Sequence, residues 1–95
     1  MLDNRNPPAF IAGATLRRLE RTTHIPPEPD AVLIEAVARG SAASLRGLRA
    51  GDIILAANQT PVHSEEDLLR AAKSAGRILI LDIMRADGRI AVLIQ

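Results

Sequence analysis

The chain has 95 residues, no cysteine, one aromatic side chain (Phe10) and a formal net charge of +1 from 12 basic and 11 acidic side chains. An apolar content of 47% supports one small packed domain and excludes a disordered chain, while the missing cysteines exclude disulfides, thiolate metal sites and a cysteine nucleophile. One aromatic and almost no net charge leave neither base-stacking platforms nor an electrostatic footprint for nucleic acid.

Residues 1–8 are polar, end in Pro7-Pro8 and read as a linker, with the domain running over 9–95. Ala9 onward gives a loop around Gly13 and then a predicted strand, Ala14 to Leu19. Pro26, Pro27 and Pro29 cannot donate ladder hydrogen bonds, so Arg21 to Asp30 is a loop. Ala31 to Ala38 is a second strand, with Val32, Ile34 and Ala36 expected on one face. Ser41 is placed to cap a short helix that stops at Gly47, a position suited to left-handed backbone. Gly51 frees the next turn, Ile53-Ile54-Leu55 is an apolar run of strand length, and Asn58-Gln59-Thr60-Pro61 turns the chain again.

Ser64-Glu65-Glu66-Asp67 opens the most strongly signalled helix. The serine is the cap, the acids complement the macrodipole, and Gly76 ends the helix. Leu68, Ala71, Ala72 and Ala75 form its apolar stripe. Ile78 to Met84 is a strand, Asp87-Gly88 signals a hairpin, and Arg89 to Gln95 is the returning strand. The order predicts an α+β fold: a small, partly open barrel of five or six strands capped by two helices. No apolar run approaches the roughly 18–20 residues needed to span a bilayer, so no membrane insertion is expected. The first residues lack the basic-then-apolar order of a signal peptide.

Gly47-Leu48-Arg49-Ala50-Gly51-Asp52-Ile53-Ile54-Leu55-Ala56-Ala57-Asn58 resembles the central segment of PDZ domains, especially bacterial ones. Over nearly the whole chain the sequence resembles PDZ domains of the Deg/HtrA envelope serine proteases, most of all their second, C-terminal copy. Ile11 to Leu16, Ala56 to Gln59 and Val92 to Gln95 carry that narrower likeness. The resemblance implies a piece of a longer periplasmic protein whose targeting segment lies upstream. It also implies a glycine loop in which the amides of Ala12, Gly13 and Ala14 receive a peptide's terminal carboxylate. A peptide would then add as a strand along Ala14, Thr15 and Leu16 toward Leu19. Glu65, Leu69 and Ala72 of the second helix would face it, with Leu68 and Ala75 toward the core. The loop has one glycine where many members have two, and Glu65 stands where eukaryotic members often use a histidine.

Catalysis within the chain is not expected. Ser41 and Ser64 are explained as caps, and no Gly-x-Ser-x-Gly elbow accompanies His24 or His63. Neither a metal nor a cofactor is expected, because no HExxH or similar ligand pairing occurs. Arg17-Arg18 reads as a solvated strand edge. Three functions remain open on the resemblance: capture of peptide C-termini or unfolded segments for an attached protease, contact with other protease subunits, or a PDZ domain of a secretion or intramembrane-protease protein.

Overall fold

The computed structural model describes residues 11–21, 23, 25–76 and 78–94. The expected linker, the domain start at Ala9, His24 and Gln95 lie outside the described residues. In chain order the elements are β1 (Ala14–Leu19), β2 (Ala31–Val37), α1 (Ala42–Leu45), β3 (Ile53–Ala57), β4 (Thr60–Pro61), α2 (Glu65–Ser74), β5 (Leu79–Arg85) and β6 (Gly88–Ile94). The strands form one antiparallel sheet in the order β1-β2-β3-β5-β6, with the short β4 attached to β3. The sheet does not close: β1 and β6 end its main path, and β4 pairs on one side only. This is the α+β, partly open architecture that the sequence predicts.

Alternation places the core. Leu79, Leu81 and Ile83 point inward from β5, and Val92 and Ile94 from β6. They meet Val32, Ile34, Ile54 and Val62, while Leu68 is the buried residue of α2. Burying each such side chain contributes about 1.5–3 kcal/mol. Ile11, fully buried, closes the core beneath the turn that precedes β1.

The helix ends follow their caps. The Ser41 side chain accepts from the Ser44 amide at the start of α1, and Ser64 accepts from the Asp67 amide at the start of α2. Asp67 in turn accepts from the His63 amide, 3.0 Å away, so the first turn of α2 is bonded from both directions.

Asp52 explains the Gly-Asp pair between α1 and β3. Gly51 has φ +93°, which lets its amide reach the Ile34 carbonyl, while the Asp52 carbonyl accepts from the Ile34 amide. The Asp52 carboxylate is buried, accepting from the Arg49 amide at 2.9 Å and from Arg85 at 2.8 and 3.0 Å. Arg85 also donates to the Gly47 carbonyl, and its pKa is raised by the Asp52 bond. One carboxylate thus ties the end of β5 to the turn before β3.

Four expectations need adjustment. Ala36 is exposed, not on the face of Val32 and Ile34, because the β1–β2 register shifts between Thr15 and Leu16. Such a bulge re-aims the side chains beyond it. Asn58 and Gln59 both take positive φ (48° and 69°), making a tight hairpin in which Thr60–Pro61 pairs back as β4. At Asp87-Gly88, by contrast, only Gly88 has positive φ. Several ends move by one residue: β2 stops at Val37, α2 at Ser74, β5 runs Leu79–Arg85, and β6 begins at Gly88.

Candidate functional site

β1 is an edge strand whose outer side meets α2, not another strand. The turn leading into it is built around Gly13, with φ +97°. The Ala12 carbonyl accepts from the Ala43 amide at 3.1 Å, and the Gly13 carbonyl accepts from the Ala38 amide at 2.9 Å. In a trans peptide unit the N–H points opposite to the C=O. Anchoring these two carbonyls on α1 and the end of β2 therefore turns the Gly13 and Ala14 N–H groups the other way, off the sheet's paired side. Ser41 fills the space behind: a Cβ on Gly13 would lie 2.1 Å from the Ser41 Cβ. Glycine is required here by both conformation and contact.

Leu16 and Ala72 are partly buried against the core, one on β1 and one on α2. Farther along, a cavity of about 390 Å³ opens between the strand and the first turns of the helix. Arg18, Ser64, Glu65, Glu66 and Leu69 line it. Glu65 and Leu69 thus lie on the side of α2 that faces this cavity, and Thr15 is exposed on the edge strand. Ala14 contributes its side chain to the core. Partial burial raises the pKa of Glu65 above that of a solvated glutamate.

Arg18 is the lining residue that sequence reasoning left on the solvated edge. Its spacing from Leu16 was the available signal, since alternate residues of a strand share a face. Its guanidinium bonds Asp30 at 2.9 and 2.7 Å, and Arg17 pairs with Glu35 at 2.6 Å. Asp30 also accepts from the Arg21 amide at 3.2 Å. That bond, with the Arg18 contact, holds the Asp30 carboxyl below its ordinary value of 3.8. A depressed folded-state pKa gives stability that is present above the ordinary value and lost as the pH falls through the folded one. Chemical unfolding at neutral pH and at pH values below 3.8 should therefore show a smaller acid loss for Asp30→Asn than for the parent. Equal losses would mean that the bonds to Asp30 carry no net stability.

A second cavity, about 450 Å³, lies on the other side of α2 beside β4. Its charged lining residues, Asp67 and Arg70, bond each other. Among the described residues no group of three His, Cys, Asp or Glu side chains is placed to hold a metal ion. No described helix is long and apolar enough to cross a membrane.

An edge strand beside a helix, approached through a glycine turn with outward amides, leaves backbone groups to which an extended segment can pair. The family model for the PDZ domain matches residues 33–85, and the chain belongs to the PDZ domain family. That match begins after β1, so the assignment rests on the body of the fold and is independent of the Gly13 turn. Among its relatives are proteins of the Deg/HtrA type. The chain is 37% identical over 71 residues to HhoA of Synechocystis sp., whose name places it among serine proteases, covering 73% of this chain and 18% of the relative. It is 38% identical over 64 residues to the periplasmic serine endoprotease DegP of Salmonella typhimurium, and 36% identical over 64 residues to DegP of Escherichia coli K12. Each DegP alignment covers 67% of this chain and 14% of DegP. The chain thus spans less than a fifth of the length of these relatives.

Proposed function

We propose that this chain is the non-catalytic, peptide-binding module of a periplasmic Deg/HtrA-like serine endopeptidase serving protein quality control, and that it corresponds to the second PDZ copy. It captures C-terminal or unfolded segments by adding them as a strand to β1. The observation that carries this is the unpaired outer edge of β1, with the Gly13 and Ala14 N–H groups at one end and Leu16 and Leu69 along it. Outward amides receive a carboxylate without any cationic side chain. Ladder hydrogen bonds then contribute about 1 kcal/mol each, and one buried apolar side chain about 1.5–3 kcal/mol. After the cost of association, the expected Kd is on the order of micromolar to sub-millimolar.

Titrating labelled protein with a short peptide ending in Val or Leu should shift amide signals along Ala12 to Leu19 and Glu65 to Ala72. Amidating the peptide's C-terminus should weaken binding, and Leu69→Asp should abolish it with the fold intact. Millimolar peptide that moves none of these signals would overturn the proposal.

A second role, contact with other protease subunits, is favoured by a separate observation. Ile80 and Leu93 lie opposite each other on β5 and β6, 42% and 53% exposed, beside the free edge of β6. Apolar side chains beside an unpaired edge suit association. On this role, sedimentation of the full-length protein should show smaller assemblies when Leu93 is replaced by lysine.

A further inference from the structure

We infer that the far end of the β1–α2 groove selects peptides carrying a lysine or arginine a few residues before the C-terminus. This rests on the groove being the peptide site and adds a charge preference to it. Four polar side chains and Leu69 line the cavity there. Arg18 is already engaged by Asp30, at 2.9 and 2.7 Å, so that pair carries no net charge toward a ligand. Among the described residues, neither Glu65 nor Glu66 has a cationic partner. The groove end is therefore locally negative on a chain whose net charge is +1.

Acids in a first helical turn also favour the helix dipole, but that role does not decide which way they face. Asp67, from the same turn, is bound to Arg70 and to the His63 amide and lines the opposite cavity. Glu65 and Glu66 line the groove instead. Half-buried Leu69 supplies an apolar wall for the methylene stem of a long cationic side chain, whose head then lies between the carboxylates and water. Arg18 is four residues along β1 from Ala14, about 13 Å at the rise of an extended strand. Alternate side chains of an added strand face the helix, so the residues read are the second and fourth before the terminal one.

The test uses three labelled peptides that end in a free Val and differ only in Lys, Ala or Glu at these positions. Lys should bind more tightly than Ala, and Ala more tightly than Glu, with about threefold to tenfold between the extremes. The spread should shrink as salt rises from about 50 to about 500 mM. In the Glu65→Gln/Glu66→Gln double variant the Lys–Glu difference should disappear. If the three peptides bind the parent equally, or the preference survives in the double variant, the inference is overturned while the groove stands. If none of them binds, the groove itself fails and the inference with it.

Discussion

Replacing Asp52 with alanine is expected to destabilise the domain by about 3–5 kcal/mol, because it leaves a largely buried guanidinium without its counter-charge. Asp52 is 2% exposed, and Arg85 approaches it through two nitrogens while the Arg49 amide takes a third bond. A small domain is stable by only about 5–15 kcal/mol, so a loss of this size consumes much of the margin. Urea unfolding of Asp52→Ala, Arg85→Ala and the double variant will separate the pair from its parts, since the double variant should cost less than the summed singles. A loss below about 1 kcal/mol for Asp52→Ala would mean that water replaces the carboxylate at no cost, and that the tie between β5 and the turn before β3 is unimportant.

Gly13→Val should be comparably damaging, and should also remove peptide binding. The position has φ +97°, which disfavours a β-branched residue by on the order of 1–3 kcal/mol. The added Cβ would meet the Ser41 Cβ at 2.1 Å, and accommodating it costs a further 1–3 kcal/mol, roughly. Ser41→Gly in the same chain removes the contact but leaves the backbone strain, so it should restore stability only in part. Relief of the clash moves the turn, and the Gly13 and Ala14 N–H groups lose their direction. Native stability with unchanged peptide affinity in Gly13→Val would contradict the role given to this turn.

Most of the fold was legible because its signals are local. Ser41 and Ser64 cap the helices, Gly47 and Gly51 take the left-handed backbone they were chosen for, and Leu79, Leu81 and Ile83 alternate inward. What was missed depends on partners distant in sequence. The bulge opposite Thr15 and Leu16 is a property of two strands, and nothing in Ala36 itself says that it faces water. β4 exists because Asn58 and Gln59 both accept positive φ, and the Asn58 side chain also bonds the backbone of Ile78 and Ile80. Apolar patterning does not report such a clamp.

The candidate site was legible in outline. Leu16, Glu65, Leu69 and Ala72 fall on the two elements that flank one groove, and Gly13 lies in the turn before the first of them. Arg18 was not placed there, because a charged pair on a strand looks like an edge when its partner Asp30 is twelve residues away. The buried support of the turn, Ile11 below it and Ser41 behind Gly13, follows only from the packing.

The most direct measurement of strand addition is the pattern of intermolecular nuclear Overhauser effects between the domain and a bound peptide ending in a free Val. Antiparallel addition predicts contacts between backbone protons of the peptide and those of β1 from Ala14 to Leu19, running in opposite directions. The terminal Val methyl groups should contact Leu16, Leu69 and Ala72, and the Gly13 and Ala14 amide signals should move farthest. Contacts confined to β5 and β6, or a peptide that meets α2 without backbone contacts to β1, would contradict binding by strand addition.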